Sequence, residues 1–145
     1  FKNRARFTLS NSDYSMLYRE MSILPRESEY PSFPDYDKYY DGYCKFFLFG
    51  DTKRRIPDNI KIFNKIGLAY GFTIDNAYIV DLDNNVEFFL TAVIYSNSNE
   101  VMNDNMYDYE NISIPFLSNL GRGIYDYELN RKKNRLPNLD WVKNL

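Results

Sequence analysis

Between residues 60 and 95 the apolar residues gather into three runs, each the length of a β-strand and each bounded by glycine or by Asn and Asp. The runs predict strands over 59–68, 73–82 and 86–96, because short β-branched and aromatic stretches between turn residues favour extended backbone. Asp83, Asn84 and Asn85 form a short link that tolerates left-handed conformation, so the second and third strands read as an antiparallel hairpin. Gly67 and Gly71 flank the link between the first two. A sequential three-stranded meander is the simplest arrangement.

Outside this block the spacing turns helical. Ser12, Asp13, Tyr14, Met16, Leu17 and Met21 read as a short capped helix over 12–22. Pro25, Pro31 and Pro34 then forbid regular structure over 24–35. Tyr40, Tyr43, Cys44, Phe47 and Leu48 fall at steps of three and four before Gly50, which predicts a buried helix over 37–49. A polar loop over 96–105 leads to a long helix over 109–129 with Ile112, Phe116, Leu120, Ile124 and Tyr127 on one stripe, and Pro115 kinks it or opens its first turn. Gly121 and Gly123 mark where that helix lies close to the sheet. The pattern gives an α+β fold in three parts: a helix and proline-rich loop over 1–36, a core over 37–129 in which the meander packs against the long C-terminal helix and the preceding one, and a basic tail over 130–145.

With 145 residues, 44% of them hydrophobic, the chain is long enough to bury one domain-sized core. Its 14 tyrosines and 11 phenylalanines read first as a ring-rich core and surface. A formal charge of -2 gives no basic field for a phosphate backbone, so nucleic acid is not an expected partner. The absence of histidine excludes a Ser-His-Asp triad and the usual His/Cys zinc sites, and one cysteine, Cys44, allows no internal disulfide. Cys44 reads as a small core residue. Asp81, Asp83, Asn85 and Glu87 imitate the start of a calcium loop but lack its glycine and distal glutamate, so neither metal nor other cofactor is expected. Lys53, Arg54 and Arg55 read as a solvated turn, and Arg26 with Glu27 as a surface charge pair. No apolar run is long enough for a transmembrane segment. Phe1 in place of Met points to a processed or truncated product, compatible with a removed export signal.

One residue resists the pattern. Lys65 stands in a run that otherwise reads Ile60, Ile62, Phe63, Ile66 and Leu68, where a cation costs desolvation energy unless it borders a cleft or has a partner. Its plainest reading is a strand-edge lysine whose stem packs and whose head reaches water. In context, Lys65-Ile66-Gly67 inside a strand, followed by Gly71, two further strands, a polar loop and a long helix, resembles the Lys-Ser/Thr-Gly strand of penicillin-recognising serine hydrolases. The runs Phe63-Asn64-Lys65-Ile66-Gly67-Leu68-Ala69-Tyr70-Gly71-Phe72 and Asp75-Asn76-Ala77-Tyr78-Ile79-Val80-Asp81 are similar to a Bacteroidetes branch of that superfamily, exported hydrolases related to class A β-lactamases. The resemblance covers about residues 39–129.

The resemblance implies a partial β-lactamase/transpeptidase-like fold and a periplasmic or secreted location. Lys65 would bind a substrate carboxylate and tune a serine, Gly67 would keep the strand face open, and the Leu68 N–H would be one oxyanion donor. Ile66 departs from the family, standing where a Ser or Thr hydroxyl belongs. The chain also has no Ser-x-x-Lys nucleophile pair, so it reads as a C-terminal portion that supplies one wall of an active site and is inactive alone. Its expected partner is the missing N-terminal half, or a second copy paired through strand 86–95. The competing reading is a non-catalytic α+β binding module with Tyr70, Tyr78 and Tyr95 lining a groove for peptide or sugar.

Overall fold

The computed structural model describes residues 7–145. Its centre is an antiparallel sheet in the order β1 (Ile60–Ala69), β2 (Phe72–Asp81) and β3 (Val86–Tyr95), the expected meander. Tyr70 and Gly71, both at positive φ (50° and 86°), make the two-residue connection from β1 to β2, a geometry matched to strand twist. Between β2 and β3 the buried Asp81 carboxylate accepts from the backbone N–H groups of Asp83 and Asn84, the side-chain amides of Asn59 and Asn84, and the Tyr125 hydroxyl. The residues that imitate a calcium loop thus serve a hairpin turn, and the acid at its head is saturated by donors.

Alternation divides the sheet into two faces. Ile62, Ala77 and Ile79 look toward the main core, where they meet Phe46, Phe47, Leu48 and Leu117. Phe63, Tyr78 and Val80 look the other way, onto Leu139 and Val142, with Tyr18 and Trp141 closing the cluster. Burial of side chains such as Phe47, Ile79 and Leu117 contributes about 1.5–3 kcal/mol each. Trp141 lies near-parallel to Tyr78 at 6.1 Å, so the end of the basic tail is folded back as part of the second core. It does so through the short helix Asp140–Lys143.

Helix α1 (Asn11–Ser22) is capped two residues before the expected site. Ser10 Oγ accepts from Asp13 N–H, and the Asp13 carboxylate accepts from Ser10 N–H at 2.8 Å. The helix expected over 37–49 does not form. That stretch makes a turn, a 3₁₀ segment (Asp41–Cys44) and the kinked α2 (Phe46–Phe49), inside which Leu48 takes φ 69°. Tertiary polar ties override the apolar spacing. Buried Asp41 receives Arg26 Nε–H at 3.0 Å and Ile56 N–H at 2.9 Å, and Lys45 is drawn toward the sheet. Arg26 and Glu27 are correspondingly more than a surface pair, since Glu27 accepts the Leu24 N–H.

The C-terminal helix begins as a π-turn (Tyr109–Ser113) and continues as α3 (Ile114–Asn130), with Pro115 in the new first turn. Its buried residues are Leu117, Ser118 and Gly121, whereas Ile112, Phe116 and Tyr127 are exposed. The expected stripe is therefore rotated, because the helix is seated by small and polar residues that an apolar pattern does not register. Ser118 Oγ donates to Phe46 O at 2.7 Å and accepts from Asp51 N–H. A Cβ on Gly121 would lie 2.7 Å from Leu48 N, so the close approach is to α2 and not to the sheet. Gly123 has open space around it.

Two consequences are measurable. Gly121→Ala should cost about 1–3 kcal/mol because backbone must move, while Gly123→Ala should gain roughly 0.5–1 kcal/mol of helix propensity, read as opposite shifts in Tm. Arg122 forks onto Asp51 at 2.8 and 2.7 Å and also donates to Leu48 O, and this guanidinium holds the Asp51 carboxyl below the usual range. A carboxyl depressed by folding stabilises above its unfolded pKa of about 3.9, and the benefit fades as pH falls through the folded value. Arg122→Met should thus show its largest stability deficit near neutral pH, shrinking below about pH 4 in urea titrations.

Candidate functional site

The antiparallel ladder decides what β1 offers to its surroundings. Leu82 N–H donates to Asn59 O, which makes that pair the hydrogen-bonded kind. By alternation Lys61, Phe63, Lys65, Gly67 and Ala69 bond to β2, leaving the backbone groups of Asn64, Ile66 and Leu68 directed away from the sheet. Among the described residues nothing accepts from Leu68 N–H. β1 is thus an outer strand with an available donor next to Lys65 and Gly67.

The four residues marked by the sequence do not converge on one point. Lys65 and Gly67 project from the second face and Ile66 and Leu68 from the first. Lys65 is exposed, and its ammonium folds back to donate to its neighbour's carbonyl, Ile66 O, at 2.8 Å. Gly67 is hemmed by Ile74, whose methyl would sit 2.9 Å from an added Cβ. Ile66 lies between two hollows along the strand edge. The smaller, about 260 Å³, is walled by Met21, Ile23, Leu24, Phe33, Tyr39 and Tyr43 and includes Lys65. The larger, about 830 Å³, takes in Tyr40, Tyr43, Leu68, Tyr107, Tyr109 and the charged Asp37, Lys38 and Glu110.

The structure separates the aromatics expected to share a groove. Tyr78 is buried against Trp141, Tyr70 occupies the exposed β1–β2 turn, and Tyr95 stands opposite Phe72, six positions along β2 from Tyr78. The tyrosines that do line the strand edge are Tyr39, Tyr40 and Tyr43, from the segment that failed to form a helix, together with Tyr107 and Tyr109.

The lysine that the fold buries is a different one. Lys45 is 2% exposed, and its ammonium donates to Met21 O and to Asn64 Oδ1, each at 2.8 Å. Asn64 in turn donates through Nδ2 to Cys44 O and to Asp75 Oδ1, both at 2.9 Å, and Asp75 Oδ2 accepts from Phe47 N–H. Burial pushes Lys45 below its ordinary range and Asp75 above its own. Burial likewise raises the Cys44 thiol, so it is no ready nucleophile. No spacing rule points to Lys45, since a lysine between the positions of an apolar stripe is usually on its solvated flank. Only the distant pairing with Asn64 reveals it. Among the described residues no cluster of three or more acidic, His or Cys groups could hold a metal, and no helix is long and apolar enough to cross a membrane.

The two lysines separate cleanly by substitution. Asn64→Leu strands a buried ammonium and a buried carboxyl and should cost about 2–4 kcal/mol, whereas Lys65→Ala should stay within about 0.5 kcal/mol of the parent, both measured by urea unfolding. No protein-family model, curated protein or solved structure matches the chain.

Proposed function

We propose that this chain is the C-terminal portion of an exported serine hydrolase of the β-lactamase and transpeptidase type, supplying the Lys-x-Gly wall of an active site whose nucleophile lies on another segment. The observation that carries the reading is the outer edge of β1. There the free N–H of Leu68 lies next to a strand cation, Lys65, and a residue without a side chain, Gly67. An N–H fixed in a sheet is preorganised for a developing oxyanion, and it needs a second donor and the serine of a Ser-x-x-Lys pair, a motif the chain lacks. Ile66 presents no hydroxyl beside Lys65, which favours a substrate recognised without the Ser/Thr contact to a carboxylate.

The sheet favours a second segment on its far side as well. β3 is the opposite outer strand, and Val93 and Tyr95 are 57% and 49% exposed. An apolar outer strand of this kind invites pairing. The N-terminal half of the hydrolase is the partner proposed for it, with a second copy of this chain as the substitute when that half is absent. The alternative, a self-sufficient binding module, is favoured by one observation: the tyrosine-lined hollows beside β1 are complete within the chain.

A fluorophosphonate and a fluorescent penicillin, followed by intact-mass measurement, test the reading. The chain alone should take up neither, a longer product carrying a Ser-x-x-Lys segment should be labelled, and Lys65→Ala in that product should lower turnover at least about 10²-fold. Labelling of the chain by itself, or an unlabelled longer product, sinks the proposal in favour of the binding module.

A further inference from the structure

Lys45 carries a charge that no carboxylate contacts directly, Asp75 and Glu27 acting on it only from a distance. Its two hydrogen bonds go to neutral oxygens, Met21 O and Asn64 Oδ1. Among the described residues it forms no ion pair, and its third N–H has no acceptor. Asp75 is reached only through the Asn64 amide. A buried ammonium with neutral partners is costly, and a carboxylate in direct contact offsets that cost most effectively. Lys45 also lines the 260 Å³ hollow, whose other lining is mostly apolar and aromatic, with Glu20, Ser28, Asn64 and Lys65 as its polar members. At about 20–30 Å³ per non-hydrogen atom, that space holds roughly ten such atoms.

We propose that this hollow binds a small amphipathic carboxylate, its apolar body among Met21, Ile23, Phe33, Tyr39 and Tyr43 and its carboxylate accepting from Lys45. The exposed Lys65 ammonium, on the same rim, attracts the anion on approach, while Glu20, also exposed on the rim, disfavours a second negative charge. A monoanion with one charged end is therefore preferred over a dianion. The geometry differs from an active-site role for Lys65: the anion sits at the floor of the hollow, and binding needs no serine.

Octanoate, octan-1-ol and octyltrimethylammonium, titrated into the chain by calorimetry, test this. Octanoate should bind at least about tenfold more tightly than the alcohol, and the cation not measurably. Lys45→Met should abolish the tenfold preference, and Lys132→Ala, which removes an exposed lysine outside the hollow, should leave it within about twofold. Equal binding of octanoate and octanol, or a preference that survives Lys45→Met, overturns the proposal. Should Lys45→Met fail to fold, Met21→Trp, which fills the hollow from a half-exposed position, decides: loss of octanoate binding with an unchanged Tm supports the site, and retained binding overturns it. Because the readout is reversible binding, its failure is distinct from failure of the covalent-labelling test.

Discussion

The structure depends on how one buried ammonium is held. Lys45 reaches from the kinked segment before β1 to the Asn64 amide on the strand and to the last turn of α1 through Met21 O. Three elements that also meet through apolar side chains are thereby tied to one another by polar contacts. The cost of burying the charge makes the arrangement selective, since a lysine in apolar surroundings is tolerated only where its donors find oxygen. Asn64 passes the tie on to Asp75, whose carboxylate in turn fixes Phe47 N–H. The non-helical path through Phe47 and Leu48 follows from this, and so does the groove into which Gly121 brings α3.

The same tie explains which parts of the fold were legible in the residue pattern. The three strands stand within one or two residues of their expected limits, because strand alternation and turn chemistry are local and the buried Asn64, Asp75 and Asp81 side chains bond outside the ladder. Pro115 likewise starts a new helical turn for a local reason. The segment over 37–49 departs from the expected helix because Tyr40, Tyr43, Cys44, Phe47 and Leu48 are spaced as a helix would space them, while Asp41 and Lys45 between them are held by partners fifteen and nineteen residues away. The buried face of α3 escaped for the opposite reason. Ser118 and Gly121 seat the helix by being small, and smallness leaves no hydrophobic signal.

Of the candidate site, the strand position of Lys65-Ile66-Gly67 was readable from the apolar run and its flanking glycines, whereas the Leu68 N–H entered only through the family resemblance, because which N–H groups face outward is set by the register and the Tyr70-Gly71 turn. The hollows beside the strand were not readable. Tyr39, Tyr40 and Tyr43 come from an irregular segment whose path is set by Asp41 and Lys45, and no sequence rule places Tyr39 and Tyr43 against Ile66.

The two lysines also carry different physical burdens, and this bears on which is suited to recognition. Lys65 is solvated and satisfied by a neighbouring carbonyl, so its charge is screened and contributes mainly to long-range attraction. Lys45 is already desolvated by the fold, which means that a ligand anion meeting it does not bear that part of the cost of binding. Interactions at such a preorganised charge are worth more than at an exposed one because the local dielectric is lower and no side chain must be newly ordered. A strand edge with Lys65 at its rim and Lys45 in its floor thus divides attraction from retention, and the retention belongs to the residue that the fold had to bury.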